Sequence, residues 1–333
     1  MGNDEGLKMN LLTVSSSPHI RADESVPKIM WTVSAALAPA VVFSMWHFGM
    51  PAVITILVGV VSAVASEALV QKIRNKEITV CDGSAFLTGL LLAMCLPPAL
   101  PWYMTATGSF LAIAVAKHSM GGLGNNIFNP AHIGRAALIV SWPVAMTTWT
   151  QFTTKADVVT SATPLNILKQ QGYAALIETF GNSSELHTAM FFGLRNGCIG
   201  ETSTILLAIG GLFLIYKGYI RWETPVIMIG SVGILTWIFG PYGLMTGDPL
   251  FHMMAGGLII GAFFMATDMV TTPCTRKGQI IFALGAGLLT ALIRIKGGYP
   301  EGVCFSILLM NSVTPLIDRF VTPKKFGARE VSK

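Results

Sequence analysis

Long apolar runs separated by short polar segments recur along the chain from residue 27 to residue 320. A transmembrane helix needs about 20 predominantly apolar residues. The pattern predicts ten helical spans, at about 28–48, 51–71, 83–98, 101–117, 130–147, 202–218, 223–240, 249–267, 277–294 and 302–319. The third ends at Pro97-Pro98 and is short for a full crossing, so we expect a half-inserted or discontinuous helix there. The predicted fold class is an all-α polytopic membrane protein.

The composition agrees with a membrane protein and argues against several other classes. Hydrophobic residues make up 52% of the chain and charged residues only 12%, against about 25% charged residues in ordinary soluble domains. The net charge of +5 does not indicate nucleic-acid binding, because the lysines and arginines lie in short segments beside apolar runs. The five cysteines include no C-x-x-C pair, so we expect neither an iron–sulfur cluster nor a zinc ribbon within this chain.

Basic residues are distributed unevenly between the two sides of the predicted helices. Residues 1–27 are polar and lack the apolar core of a signal peptide, so we expect a cytoplasmic N-terminal tail. With the N-terminus inside, 16 lysines and arginines fall on inner segments and 5 on outer ones, as the positive-inside rule requires. The predicted organisation is a cytoplasmic tail, a first helical half, an outer loop, a second helical half and a cytoplasmic C-terminal tail, at 1–27, 28–147, 148–201, 202–320 and 321–333.

The predicted outer loop carries a cluster of hydroxyl side chains. Its length of about 50 residues is unusual for a connection between spans and indicates a function. Residues 157–165 read D-V-V-T-S-A-T-P-L, with hydroxyls at Thr160, Ser161 and Thr163. Such a segment can be a plain Ser/Thr turn before a proline. One of its hydroxyls can also be the covalent attachment point of a phosphate-bearing cofactor.

Two glycine-rich stretches indicate an internal repeat. Residues 121–128 precede the fifth predicted span, and residues 297–305 precede the tenth. A glycine-containing span lies upstream of each, with Gly89 in the first half and Gly256-Gly257 in the second. A unit of five spans is odd, so the two halves would be inserted with opposite orientations. Inverted repeats with broken helices place a ligand or ion site near the midplane, although paired glycines also serve simply for close helix contact.

Few ionisable side chains lie at predicted membrane depth, where a central charge costs roughly 2.5–3.5 kcal/mol on insertion scales. Asp268, Glu301 and Asp318 lie at the ends of the eighth and tenth spans, and Glu67 lies in the second. One interpretation of these acids is that they take part in cation passage or cofactor anchoring. The other is that they cap helices or pair with nearby arginines. Arg135 lies inside the fifth span. Its side chain can extend towards the membrane surface, pair with an acid, or bind an anion such as a flavin phosphate or ring oxygen.

Several motifs, in the right order, resemble those of one known family. They lie at 16–18, 82–89, 96–98, 121–124, 128–131, 266–268, 297–300 and 315–318. Over residues 16–327 the sequence resembles the D-type subunit of the Rnf electron-transport complex (also called Rsx). That protein is paralogous to the B-type subunit of the sodium-pumping NADH:quinone reductase. The resemblance implies a multi-pass protein of a bacterial or archaeal cytoplasmic membrane, with two inverted five-helix repeats.

The same resemblance implies a covalent flavin. In that family a threonine of an Asp-x-x-Ser/Thr-x-Ala-Thr motif carries FMN through a phosphoester bond. The motif is matched at Asp157, Thr160, Ala162 and Thr163, with Ser161 inside it. The implied flavin-bearing residue is Thr163. Because a flavin transferase has to reach this hydroxyl, we expect it in an exposed, flexible segment.

The family implies one membrane subunit of an ion-translocating ferredoxin:NAD⁺ oxidoreductase, which moves Na⁺ or H⁺. No G-x-G-x-x-G motif follows a strand here, so NAD⁺ and ferredoxin are expected on the partner Rnf subunits, of types A, B, C, E and G. A non-covalent riboflavin is expected between the helical halves. Asp268, Glu301 and Asp318 are the candidates for ion coupling. The expected cofactor-binding residues are Thr163, Asp157, Thr160, Ser161, Ala162, Arg135, Asn129 and Thr267.

Two other functions stay open from the sequence. One is the paralogous subunit of the sodium-pumping quinone reductase, which the identity of the neighbouring subunits would distinguish. The other is a flavin-free transporter or channel with an inverted five-helix repeat, which resembles urea transporters in architecture. A channel has a pore but no need for the motif at 157–163, and this motif favours the flavoprotein.

Overall fold

The fold is a series of helices with two short β-hairpins, and the computed structural model describes residues 24–152, 158–160, 162–240 and 243–322. The α-helices of these residues are α1 (Val26–Phe48), α2 (Met50–Ile73), α3 (Ser84–Met94), α4 (Trp102–Phe110), α5 (Pro130–Ser141), α6 (Pro143–Thr147), α7 (Pro164–Phe180), α8 (Ser183–Phe192), α9 (Thr204–Tyr216), α10 (Glu223–Ile238), α11 (Pro249–Met254), α12 (Leu258–Ile260), α13 (Arg276–Lys296) and α14 (Val303–Phe320). Two π-helical stretches, Leu111–His118 and Gly261–Met265, extend α4 and α12. Single 3₁₀ turns lie at Val80–Asp82 and Ile199–Glu201.

The hairpins are small additions to an all-helical fold. Strand β1 (Thr150–Phe152) pairs antiparallel with β2 (Val158–Thr160), so that Thr150 lies opposite Thr160. Strand β3 (Phe239–Gly240) pairs in the same way with β4 (Gly243–Leu244). The predicted all-α class is confirmed, and each predicted span coincides with helical structure over much of its length.

Four of the described helices are long and apolar enough to cross a membrane by themselves: α1, α2, α13 and α14. Helices α3, α9 and α10 are apolar but shorter. Helix α3 ends at Met94, three residues before Pro97, and this agrees with the expected short or discontinuous third span. The chain is therefore a multi-pass membrane protein that combines long helices with shorter ones.

Helix starts are fixed by polar caps followed by proline. Ser25 caps α1, Asn129 caps α5 and Asp248 caps α11, each accepting a hydrogen bond from a backbone N–H of the first turn. Proline lies within the first two helical positions after each cap, where its missing N–H costs nothing. A side-chain cap is worth about 1 kcal/mol. These caps set where the apolar segments begin.

The eighth predicted span, at 249–267, is helical but interrupted. Helix α11 ends at Met254, and α12 begins only at Leu258. Between them Gly256 and Gly257 adopt φ angles of 65° and 64°, in the left-handed region that residues with a Cβ rarely enter. The Gly-Gly pair therefore breaks the helix, where the apolar pattern alone indicated a continuous run.

The shortened third segment and the broken eighth segment meet in the interior. Cys95, just after α3, places its Sγ 3.9 Å from Sδ of Met265, the last residue of the π-helical stretch. Both residues are buried. Two discontinuous segments from opposite halves of the chain thus end against each other.

The segment expected as an outer loop, 148–201, has secondary structure of its own. It contains α7, α8 and the β1–β2 hairpin. Leu165, Leu176 and Leu186 form a separate small hydrophobic core with Phe251 of α11. The segment is therefore packed onto the start of the broken helix through apolar contacts.

Gly89→Ala tests the close contact between α2 and α3. A Cβ at Gly89 would lie 2.6 Å from the carbonyl oxygen of Gly59 and 2.8 Å from Cβ of Ala63. We expect a loss of about 1–3 kcal/mol from overpacking, seen as a lower melting temperature of the protein purified in detergent. The matched control is Gly230→Ala in α10, where the Cβ would meet nothing within 4 Å. Equal melting temperatures for the two variants would contradict the tight α2–α3 packing.

Candidate functional site

Thr163, the threonine of the flavin motif, is the N-cap of α7. Its Oγ1 accepts a hydrogen bond from the backbone N–H of Asn166 at 3.2 Å, and Pro164 occupies the first helical position. Ala162, just before it, is half-buried, and Thr160 ends β2. Asp157 and Ser161 lie outside the described residues. The motif therefore spans the passage from the hairpin into the helix.

The expectation that Thr163 lies in an exposed segment is wrong. Only 3% of its surface is exposed, because the start of α7 packs on the core. A side chain of this size cannot reach a transferase active site while it is buried. Covalent modification of Thr163 would therefore require that the start of α7 be unpacked, before the segment docks or after it opens.

The start of α7 rests directly on the helix break. A Cβ at Gly256 would lie 2.4 Å from Cδ1 of Leu165, which shows that the leucine occupies the space a side chain would need. Leu165 follows Thr163 by two residues. The residue two positions after the motif is thus in close contact with the left-handed turn between α11 and α12.

Polar contacts fix α7 and α8 on the same broken helix. Asp248, the N-cap of α11, accepts a hydrogen bond from the hydroxyl of Tyr173 at 3.0 Å. Its carboxylate also shares a 2.8 Å hydrogen bond with Nε2 of His187 on α8. Lys169 donates to the carbonyl oxygens of Gly297 and Tyr299, the latter at 2.9 Å. The segment at 148–201 is therefore held by the elements around 248 and 297.

A buried ionic cluster lies beside the break. Arg135 of α5 forms an ion pair with Glu301, just before α14, and also donates to Sγ of Cys198 at 3.5 Å. Atoms of Cys198, Glu201 and Glu301 that could bind a metal lie within 4.8 Å of one another. The sequence indicated Arg135 and Glu301 as separate candidates, and the structure brings them together.

Two arginines satisfy backbone groups of the broken helix. Arg294 donates to the carbonyl oxygens of His252 at 2.5 Å, Ala255 at 2.8 Å and Glu301 at 3.0 Å. Arg195 donates to the carbonyl oxygens of Met254 at 2.7 Å and Glu201 at 2.9 Å. Cationic side chains near a helix C-terminus stabilise it, because they donate hydrogen bonds to carbonyl groups that have no partner within the helix.

Sequence reasoning missed the roles of four residues in this region: Cys198, Glu201, Arg195 and Arg294. The two arginines had one signal, since they are among the few basic residues on segments predicted to face outward. Neither Cys198 nor Glu201 belongs to a motif that marks a site. Their importance comes from folding, which buries them next to Glu301.

A second polar region lies in a cleft between α1, α3, α5 and the π-helical stretch before Ala266. Its empty space, including the part open to its surroundings, is about 850 Å³. The polar side chains along its wall are Ser84, Thr88, Lys117, Asn126, Asn129, Thr267 and Asp268. Apolar residues, among them Leu91, Leu214 and Phe263, form most of the remaining wall.

Lys117 is fully paired at the wall of this cleft. The π-helical stretch Leu111–His118 brings its ammonium group 2.6 Å from Oε1 of Glu67 and 2.6 Å from Oγ of Ser84. His118 also contacts Glu67 Oε1, at 3.2 Å. A buried charge needs such partners, and Glu67 on α2 supplies the compensating charge.

The other predicted site residues divide between the two regions. Asn129 lines the cleft, and its amide group caps α5 and donates to the carbonyl oxygen of Met265 at 3.4 Å. Thr267 and Asp268 line the same cleft. Asp268 accepts hydrogen bonds within its own turn, from the Val270 N–H at 3.2 Å and the Thr271 hydroxyl at 3.1 Å.

Asp318 lies in a third environment. Its Oδ1 accepts a hydrogen bond from the backbone N–H of Cys274 at 3.1 Å, which joins α14 to the turn before α13. The contacts of Asp268, Glu301 and Asp318 thus place the three ion-coupling candidates in different surroundings. Only Glu301 belongs to the cluster around Arg135.

These features define a multi-pass membrane protein with polar groups buried between discontinuous helices and a threonine motif on a packed additional segment. The model of the NQR2, RnfD, RnfE family matches residues 13–327. The chain belongs to this family, and the resemblance found in its motifs is thereby confirmed.

Curated relatives of this family match nearly the whole chain. The D-type subunit of the proton-translocating ferredoxin:NAD(+) oxidoreductase complex of Clostridium ljungdahlii is 69% identical over 97% of this chain and 98% of its own length. The corresponding subunit of the Na(+)-translocating ferredoxin:NAD(+) oxidoreductase complex of Acetobacterium woodii is 47% identical over 97% of both chains. The D-type subunit of an ion-translocating oxidoreductase complex of Klebsiella pneumoniae is 37% identical over 95% of this chain and 99% of its own.

A double-mutant cycle tests the buried pair of Arg135 and Glu301. Arg135→Met leaves the Glu301 carboxylate buried without its cation, and we expect a loss of about 3–5 kcal/mol in the free energy of unfolding. Arg135→Met combined with Glu301→Gln removes both charges and is expected to lose clearly less than the sum of the single variants. Unfolding of the detergent-purified protein by denaturant measures the three losses. Strictly additive losses would show that the two side chains do not interact.

Proposed function

We propose that this chain is the membrane subunit of an ion-translocating ferredoxin:NAD⁺ oxidoreductase that carries FMN on Thr163. The observation that carries the proposal is the position of Thr163 as the N-cap of α7, within the complete Asp-x-x-Thr-x-Ala-Thr motif. The relatives named above as ferredoxin:NAD(+) oxidoreductase subunits support the assignment to this reaction. The chain contributes to electron passage and is not a complete enzyme alone.

The surroundings of Thr163 fit a phosphoester. A group on Oγ1 of an N-cap residue lies at the positive end of the helix, where free backbone N–H groups and the helix dipole favour a phosphate. Pro164 has no N–H to offer, but Leu165 and Asn166 follow it in the first turn. Modification would exchange the neutral hydroxyl cap for an anionic cap at the same place.

FMN bound here would supply one- and two-electron redox chemistry. The protein's own contribution is to hold the attachment point. Leu165 packs on Gly256, and Asp248 holds Tyr173 of α7 and His187 of α8. These contacts fix the flavin-bearing residue against the second half of the chain. Attachment by a flavin transferase is part of this proposal and precedes the packing of the segment.

A second, non-covalent riboflavin is proposed for the cleft around Lys117 and Asn129. Asn126 lines it, and its buried Oδ1 has no hydrogen-bond partner among the described residues. The flavin ring carries an imide N–H donor that such an acceptor can bind, and apolar residues such as Phe263 offer a surface for the ring. Asn129 and Thr267 are the further polar groups at this wall.

The remaining partners follow from what the chain itself can bind. NAD⁺ and ferredoxin are assigned to the other Rnf subunits, of types A, B, C, E and G, because this chain has no dinucleotide-binding motif. Large apolar side chains cover the outside of the helices, among them Trp46, Tyr216 and Phe320. Such surfaces fit lipid and neighbouring membrane subunits. The transported ion is H⁺ or Na⁺, with Asp268, Glu301 and Asp318 as the coupling candidates.

The proposal includes two inverted five-helix repeats with both termini in the cytoplasm and the segment at 148–201 on the outer face. The bias in basic residues supports this orientation. The packing supports the repeat, because α2 contacts α3 and α4 as α10 contacts α11 and α13. The third element of each half is short or discontinuous. The site regions then lie between the halves, as in other inverted-repeat proteins.

Replacement of Thr163 tests the covalent flavin and separates it from the capping role. Thr163→Ala loses both the hydroxyl and the cap, whereas Thr163→Asp keeps a capping oxygen and cannot carry a phosphoester. We expect both variants to lose the covalent flavin completely and only Thr163→Ala to lose about 1 kcal/mol of stability. Ultraviolet fluorescence of the denatured band after electrophoresis measures the flavin, with the transferase co-expressed.

Thr179→Ala, on the exposed part of α7, is the control and is expected to keep the fluorescence of the unchanged protein. A fluorescent band in Thr163→Asp would place the flavin on another residue. A dark band in the unchanged protein, with the transferase active on a second substrate, would remove the flavin from this chain and favour the transporter.

Asn126→Leu tests the non-covalent flavin. The substitution keeps the approximate volume of the side chain and removes the unpartnered acceptor, so we expect the acid-extractable flavin of the purified complex to fall at least about tenfold, as for the loss of a buried hydrogen bond to a ligand. The fluorescent covalent band should be unchanged. Retention of the full amount of extractable flavin in Asn126→Leu would contradict this site.

A further inference from the structure

A small cavity separate from the cleft lies beside the helix break. Its wall is formed by α3, α5, α12 and the turn before α9. Cys95, His132, Cys198, Glu201 and Gly257 line it. The cavity is therefore in contact with both halves of the chain.

Glu201 is buried in this cavity with a free acceptor. Only 5% of its surface is exposed, and its Oε1 has no hydrogen-bond partner among the described residues. Its carboxylate, the Cys198 sulfur and the Glu301 carboxylate have atoms within 4.8 Å of one another. Because the Glu301 carboxylate already pairs with Arg135, the carboxylate of this group that keeps an oxygen without a partner is that of Glu201.

A second side chain at the same cavity also lacks partners. His132 is 1% exposed, and neither of its ring nitrogens makes a hydrogen bond within the described part of the chain. Buried polar groups are nearly always satisfied. An unpartnered imidazole and an unpartnered carboxylate oxygen at one cavity together indicate a site that binds a ligand in part of the working cycle.

The charges nearby favour a proton over a metal ion as that ligand. Three guanidinium groups face this region, those of Arg135, Arg195 and Arg294. The first is paired with Glu301, and the other two are held on backbone carbonyl groups. A bound metal ion would add positive charge beside three fixed cations in a region of low dielectric. A proton adds less positive charge than a metal ion and needs only one carboxylate oxygen, such as the unpartnered Oε1 of Glu201.

The cavity is joined to the flavin motif by direct contacts. Leu165, two residues after Thr163, packs on Gly256. A Cβ at the next residue, Gly257, would lie 3.7 Å from Oε1 of Glu201. The left-handed turn at 256–257 therefore touches the start of α7 on one side and the carboxylate on the other.

We propose that Glu201 is a proton-binding site that takes up one proton when the flavin on Thr163 is reduced and releases it on reoxidation. The step forms one O–H bond on Glu201, and the proton comes from the aqueous phase. The electron that arrives on the flavin adds negative charge, and the proton bound at Glu201 compensates it. This proposal rests on the proposed function, since it needs the flavin at Thr163.

Reduction-induced infrared difference spectroscopy of the purified complex tests the proposal. In the unchanged protein we expect the carbonyl band of one protonated carboxylic acid to appear on electrochemical reduction. The band should be absent in Glu201→Gln and present in Glu178→Gln, an exposed acid of α7 that serves as the matched control. Loss of the band in Glu201→Gln with the covalent flavin retained, as shown by its fluorescence, supports the proposal. A band of unchanged size in Glu201→Gln overturns it.

Two further variants keep the test decisive. Cys198→Ser changes a polar side chain within 4.8 Å of the Glu201 carboxylate and is expected to shift the frequency of the band. It replaces Glu201→Gln if that variant does not fold. An unshifted band in Cys198→Ser would count against Glu201 as its source. Thr163→Ala separates the two proposals, because it should lose the reduction-induced band but keep a band that appears when the complex is titrated with acid.

The unchanged protein distinguishes failure of the flavin assignment from failure of the proton site. If it carries no covalent flavin and still shows the Glu201 band on titration with acid, the flavin assignment fails and the link between reduction and protonation is overturned with it. If the flavin is present and reducible but no band responds to reduction, the proposed function stands and the proton site is overturned.

Metal analysis of the same preparations tests the alternative ligand. We expect the unchanged complex to contain no more of any transition metal than Glu201→Gln contains. One full equivalent that disappears in Glu201→Gln would identify a metal site built by Cys198, Glu201 and Glu301, and would overturn the proton assignment.

Discussion

The structure depends on the satisfaction of backbone groups at a helix break in the interior of this membrane protein. Lipid offers no hydrogen bonds, so a discontinuous helix persists there only if other groups bind its free carbonyls. Arg294 and Arg195 do this at the end of α11, by donating to carbonyl groups of residues 252–255. With these two guanidinium groups in place, the left-handed turn at Gly256 and Gly257 becomes a fixed part of the interior.

The ionic cluster follows from the same constraint. Two buried cations require nearby negative charge, and Glu201 and Glu301 lie next to them. Glu301 in turn pairs with Arg135 across the boundary between the two halves. The helix break, the acids and the contact between the halves are therefore parts of one arrangement. A change at the break affects the electrostatics of the cluster, and a change in charge at the cluster affects the break.

The sequence predicted the helical segments well and the site only in part. Helix positions are visible because the thickness of the membrane sets the length of an apolar run. The break at Gly256 could not be decided from the sequence, because paired glycines in an apolar run also serve continuous helices that pack closely. The pairing of Arg135 with Glu301 joins residues 166 positions apart, which no local pattern reports. The burial of Thr163 depends on the docking of α7 onto α11, and a motif of hydroxyls carries no sign of that contact.

On the proposed function, the buried Thr163 is a better anchor for a coupled flavin than the flexible loop expected from the sequence. Coupling requires that the reduced and oxidised states interact differently with the ion site. A cofactor on a mobile tether would change its position more easily than it would change the protein around it. A flavin on an N-cap that packs against the helix break would instead pass its change in charge on to protein groups whose positions are fixed. On the proposed function, attachment before α7 docks is an early event, because the docked hydroxyl is buried. On the proposed function, flavin attachment is thus a step in the assembly of the ion-coupling site itself.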